Sequence, residues 1–310
     1  MMDIEPYSAE QKRHVREVQN LWARYAPLMA ESRDLVGGMQ WKTIRGREYL
    51  YRYAPDPVTK KKRSTSLGPR TAETEAVHAR FMERRALVKL DLPPLEDAVA
   101  TQARVSKALR LGRLPRATGE FLTVLDSTGM AAHLVMTSSL ALHGYETMFA
   151  HELSVSEAPA LHFMLLDDAI ADDFYGELSG ALPGVSIEES RSGMVDLAFG
   201  DIEFAVMTRS RLLRGLARNG DDDQVECVEA RLADDHIATF TFDRSGRPVP
   251  ISVPDPITMA MMACIGDPEA DVGPALAELA TRNGDFVVEE HELEKFPAIA
   301  DRIGGLGPRI

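Results

Sequence analysis

Cysteine is almost missing from this chain: Cys227 and Cys264 are the only two in 310 residues. That excludes a disulfide framework and a cysteine-rich metal cluster, and leaves reduced thiols as the expected state. No apolar run approaches the roughly 18 residues that cross a bilayer, and the opening MMDIEPYSAEQKRH lacks the apolar core of a signal peptide. The expectation is a cytoplasmic protein with no membrane partner. Histidine offers no metal spacing either, because His133, His143, His151 and His162 include no pair at i and i+4.

Charge of each sign is scarce in one part of the chain. Residues 1–120 hold 23 Lys and Arg against 15 Asp and Glu, and residues 121–310 hold 12 against 33. A basic front and an acidic back imply either an anionic partner for the front or mutual attraction of the two parts, within a chain or between copies of a homo-oligomer. Hydrophobic residues make up 45% of the chain, enough for a packed core, and the length suits two domains or one with appendages.

The first segment reads as a helix over 8–36, with Ser8 as its cap and Val15, Val18, Trp22, Tyr25 and Leu28 at helical spacing; Pro27 interrupts its end. Gly37 and Gly38 stop it. Ile44 and Tyr49 to Tyr53 then predict a strand, PDPVTK a turn, and Lys60 to Leu67 a returning strand, so that the segment reads as a β-hairpin. Its aromatics Trp41, Tyr49, Tyr51 and Tyr53 interleave with Lys42, Arg45, Arg47, Arg52, Lys60, Lys61, Lys62 and Arg63. That mixture suits phosphate contacts with base or groove contacts, and makes nucleic acid a candidate partner. The bland alternative is an edge strand whose cations block aggregation. A helix follows from Ala72 to Leu90, opened by Thr71, and Pro93 and Pro94 mark the expected boundary of the front module.

Beyond that boundary come a helix, the basic corner Arg110 to Arg116, and a helix from Thr118 to Leu125. The stretch HLVMTSSLALHGYE from His133 to Glu146 is organised differently. A short apolar strand ends in Thr137, Ser138 and Ser139 and passes into a helix carrying Leu140, Leu142 and Tyr145. Such a corner holds phosphates, because a helix N-terminus presents unpaired N–H groups and partial positive charge. Its alternative reading is a cap serving only the helix.

Taken in order, YLYR…STSLGPRTAETE, LGRLPRATGEFLTVLDSTGM, the short strand, the hydroxyl corner and ALHGYE resemble a bacterial family of nucleotidyltransferase-fold proteins. That family belongs to the DNA polymerase β-like superfamily and is distantly related to nucleotidyltransferase toxins. The resemblance spans roughly residues 40–260. It implies an α+β fold: a mixed-sheet core over 100–250, a helix and β-hairpin module over 1–95, and a helical region over 251–310. It also implies a phosphate-binding corner, here Thr137 to Ser139, two carboxylates one residue apart on the next strand for magnesium, and a third carboxylate on a neighbouring strand, here Asp196 in GMVDLAF. Side chains at i and i+2 share a strand face, which is why two-metal chemistry uses that spacing.

The pair is missing. ALHFMLLDD puts Leu161 and Phe163 at the implied positions. Asp167 lies four residues past Phe163, roughly 13 Å along a strand. Asp201 and Glu203 form a carboxylate-x-carboxylate pair but follow Asp196. The family's His-Lys pair near the nucleotide is matched by Ala260-Met261-Met262-Ala263, a stripe that suits a core. The back half otherwise reads as strands at GMVDLAF, DIEFAVM, Val225 to Leu232 and HIATFTFD, with Asp221 to Asp223 in a solvent loop and helices from Pro256 onward.

Two functions follow. In one, the core is catalytically degenerate and acts as a nucleic-acid or protein binding module without a cofactor. In the other, it is a divergent magnesium-dependent nucleotidyltransferase that moves a nucleotide from a nucleoside triphosphate to an RNA, protein or small-molecule acceptor, with Asp196 and Asp167 as metal ligands.

Overall fold

The computed structural model describes residues 2–55, 62–153, 160–189, 194–232, 236–268, 270–283 and 286–304, with the side chains of Lys62 and Glu189 excepted. The chain mixes helices with sheets, and its largest sheet is itself mixed. Strand β1 (Ile4–Pro6) leads into helix α1 (Ala9–Asp34), where Ser8 and Gln11 form a reciprocal capping box. Strands β2 (Gly38–Ile44), β3 (Arg47–Pro55) and β4 (Lys62–Pro69) make a three-stranded antiparallel sheet. The expected hairpin therefore gains a strand. What reads as one run from Ile44 to Tyr53 is a turn and two strands, because Arg45 and Gly46 both take positive φ, 49° and 76°, and close a two-residue loop.

Helix α2 (Ala72–Ala108) opens at Thr71, which caps with Thr74. It does not stop before the prolines, so no element boundary falls at Pro93 and Pro94. Each proline removes one helical hydrogen bond. Packing outweighs that loss: Phe81, Val88 and Leu95 recur every seven residues on a buried seam, and Phe81 and Val88 form a small core with Leu35 of the α1 end.

The main core follows. Helix α3 (Arg116–Ser127) precedes β5 (Leu134–Met136), α4 (Leu142–Phe149) and β6 (His151–Leu153), which pairs with β1. Then come β7 (Leu161–Leu165), α5 (Ala171–Ala181), β8 (Ser186–Glu189), β9 (Val195–Phe199) and β10 (Ile202–Met207). The five-stranded sheet has the order β5-β7-β10-β9-β8, with β7 and β10 parallel and the other neighbours antiparallel. One face packs on α3, where Phe121 lies 4.8 Å from the Phe204 ring.

Helix α6 (Arg209–Leu216) and helix α7 (Asp222–Leu232) come next. The strand expected at Val225 to Leu232 is therefore a helix, and Asp221 is not a mere loop acid: its carboxylate accepts the Gln224 N–H at 2.8 Å and opens α7. Strands β11 (His236–Phe242) and β12 (Pro248–Pro254) form a two-stranded antiparallel sheet. Helices α8 (Pro256–Gly266), α9 (Val272–Asn283), α10 (Glu290–Lys295) and α11 (Pro297–Ile303) complete the described chain. Met259, Met261 and Met262 of α8 are buried, as the stripe reading expects. No described helix is long and apolar enough to cross a membrane.

A buried ionic knot ties these layers together. Arg113 donates to Glu146 Oε1 and to the Leu153 carbonyl, both at 2.8 Å; Glu146 also accepts from the Leu153 N–H and pairs with His143 Nδ1, each at 2.9 Å. Glu146 is 2% exposed, so Arg113 is what makes its charge tolerable there.

Candidate functional site

Alternation along β7 decides what the main sheet can present. Leu161 and Phe163 turn inward and are buried, the latter 6.2 Å from the Phe204 ring, so they share no face with Asp196. The residues of β7 that face the same way as Asp196 are His162, the buried Met164 and, one step before the strand, Ala160. His162 is in register with Ala205 of β10, Ala205 with Asp196 of β9, and Asp196 with Glu188 of β8. At the other end, the Thr137 N–H donates to the His162 carbonyl at 2.9 Å and continues the β5–β7 ladder. One row thus runs Thr137, His162, Ala205, Asp196, Glu188 across all five strands.

From His162 to Glu188 this row lines a groove of about 670 Å³, together with Glu203, Ala160, Ala198 and Ser186. Small side chains make its floor and three carboxylates ring it. Glu203 stands opposite Ala198, one diagonal from Asp196. Burial holds the His162 imidazole below the ordinary histidine range, and Asp196 pulls it partly back by favouring the charged form. Glu188 was not legible in the sequence; only the β8–β9 register brings it beside Asp196.

The other expected ligands go elsewhere. Asp167 caps the short turn after β7, accepting the Ala169 N–H at 2.9 Å, and lies five residues past His162, roughly 16 Å along the strand direction. It does not meet Asp196. Asp201 sits in the β9–β10 turn, so it forms no strand pair with Glu203. Among the described residues, no three His, Cys, Asp or Glu side chains are grouped closely enough to hold a metal ion. In the hydroxyl corner, Ser138 is buried and its Oγ has no hydrogen-bond partner among the described residues, and it makes no side-chain cap. The corner is thus not a simple N-cap.

The front sheet is the second solvent-facing β surface. Tyr49, Tyr51 and Tyr53 share one side of β3, and register places Lys42 opposite Tyr49 and Arg47 opposite Ile44 on that same side. The Lys42 ammonium lies 4.9 Å from the Tyr51 ring and 5.3 Å from that of Tyr53, and Arg45 marks the adjoining turn. Arg52 belongs to the opposite side. Its guanidinium donates to the carbonyls of Asp34 at 2.9 Å, Val36 at 2.8 Å and Tyr53 at 2.7 Å, closing the C-terminus of α1, and stacks 4.7 Å over Phe81. Arg63 pairs with Ala54 and so also leaves the tyrosine side. Lys60 and Lys61 lie outside the described residues, and Lys62 is placed only by its backbone at the start of β4. Structure therefore brings together Lys42, Arg45 and Arg47, and separates Arg52 and Arg63.

No protein-family model matches the chain, and neither a curated protein nor a solved structure matches it.

Proposed function

We propose that this chain is a binding protein built on a nucleotidyltransferase-like core without two-metal catalysis, and that its front sheet contacts nucleic acid. The observation that carries this reading is the alternation of β7: the side chains it turns to the Asp196 face are Ala160, His162 and Met164, where metal-dependent transfer needs carboxylates. The tyrosine side of the front sheet supports the partner assignment. Lys42, Arg45 and Arg47 offer phosphate contacts, and the flanking rings hold the Lys42 ammonium in place.

Titration of labelled single-stranded RNA and duplex DNA against the full chain, over a range of salt, tests it. Expected is salt-dependent binding that Lys42→Glu with Arg47→Glu weakens about tenfold or more, with a salt slope shallower by about two. Absence of binding to either nucleic acid overturns the partner assignment.

A second reading, the divergent magnesium-dependent nucleotidyltransferase, is favoured by Glu188 standing directly across from Asp196 in the groove. Carboxylates drawn singly from three strands do not match the two-metal donor set, so no step is routed through magnesium. Calorimetry of each nucleoside triphosphate with magnesium, with Asp196→Ala as control, separates the readings: tight binding that needs both magnesium and Asp196 favours the transferase.

A further inference from the structure

Helix α2 carries apolar side chains on two sides. Phe81, Val88 and Leu95 point into the molecule and are buried. Leu87 and Leu90 lie on the side away from that seam, at 53% and 71% exposure, the latter the most exposed large hydrophobic side chain among the described residues. A surface helix normally keeps its outer face polar. Here the outer stripe is apolar at its middle and charged toward its ends, and those charges have a pattern. Around a two-fold axis passing midway between Leu87 and Leu90, an antiparallel second α2 sets Leu87 against Leu90 of the second copy. Arg80 then comes level with Asp97 of that copy, and Glu75 comes within two residues of level with its Arg104. All four charged residues are exposed. Both juxtapositions occur twice under the two-fold and are of opposite sign, while Glu83 of the same stripe comes level with Pro94 of the second copy. Glu75 also binds Arg70 at 2.6 Å within its own chain, so its contact across the axis adds to an existing ion pair.

We propose that the outer face of α2 is the self-association surface of this protein, an antiparallel α2–α2 contact centred on Leu87 and Leu90 with Arg80–Asp97 pairs on both sides. The contact is isologous, so it closes at two copies and leaves no free end to propagate. It uses only the basic front part of the chain, in contrast to attraction between a basic front and an acidic back.

Sedimentation equilibrium of the full chain tests this. The wild type is expected as a concentration-dependent dimer, and Leu87→Glu or Leu90→Glu should raise the dimer dissociation constant about thirtyfold or more while far-ultraviolet circular dichroism stays unchanged. Arg80→Asp and Asp97→Arg should each weaken the dimer, and their combination should restore it. A wild type that stays monomeric at its highest soluble concentration would leave this face to a partner of another kind and overturn the proposal. So would a dimer indifferent to both leucine changes. If a leucine variant loses helicity, the charge reversals decide: failure of the double variant to recover overturns the antiparallel register.

Discussion

The front sheet and the open face of the main sheet are built by the same rule and end with opposite character. Each is an antiparallel or mixed sheet with one face packed on helices and the other turned to solvent. On the front sheet that side holds Tyr49, Tyr51, Lys42 and Arg47 with Tyr53 buried beside them; on the main sheet it holds alanines, His162 and three carboxylates with Met164 buried beside them. A polyanion suits the first surface and is repelled by the second. The two faces thus carry opposite charge in the same sense as the two parts of the chain, although they hold only a few of its charged residues.

Two partly buried arginines give a graded test, Arg52 behind the tyrosine side of the front sheet and Arg113 in the core between α4 and β6. Arg113→Met should have the largest effect. It strands Glu146 inside the core and should cost about 3–5 kcal/mol in chemical denaturation, most of it the penalty of an uncompensated buried charge. Arg52→Met should cost less, about 1–3 kcal/mol, since the carbonyls it frees at the end of α1 lie where water can reach them. By contrast, Lys42→Ala should leave stability within about 0.5 kcal/mol while weakening nucleic-acid binding. If Arg52→Met and Lys42→Ala instead lower stability alike, the two sides of β3 are not as distinct as the register makes them.

The smallest effect concerns acid. Because His162 is held below the ordinary value of 6.5 in the folded chain, the unfolded chain takes up its proton first as pH falls. The stability tied to neutral His162 is present above the unfolded value and is lost through and below it. His162→Gln should therefore flatten the acid limb of the stability curve below about pH 6.5, although His14, also lowered by burial, keeps part of the slope. In Asp196→Asn, nuclear magnetic resonance titration should find the His162 value lower still, since the charge that favours imidazolium is gone. An unchanged value would mean that the two side chains do not sense each other.

Local chemistry made the helix starts legible. Ser8 and Thr71 announce α1 and α2 because a cap is a bond to a residue three positions away, written wholly in the sequence. The hairpin at Arg45 and Gly46 was not legible, since arginine rarely takes positive φ and nothing but Gly46 signals the turn. The run through Pro93 and Pro94 was hidden for another reason: propensity forbids it, and only packing on Leu35 and its neighbours permits it. Around the candidate site, Asp196 and the hydroxyl corner were readable from order along the chain. Which side chains join them depends on strand register, so Glu188 and His162 could not be foreseen, nor could the inward turn of Leu161 and Phe163.

The double proline in α2 has a mechanical consequence. With no amide hydrogen at positions 93 and 94, the carbonyls of Lys89 and Leu90 receive no bond from the next turn, so the ladder loses two adjacent axial bonds there. Bending stiffness in a helix comes partly from those axial bonds, so the stretch relies more than the rest of α2 on a neighbour, and Leu92 packs there against Leu28 and Leu35. Helix α1 thus spans the weak place in α2 as a splint, with its own end fixed by Arg52.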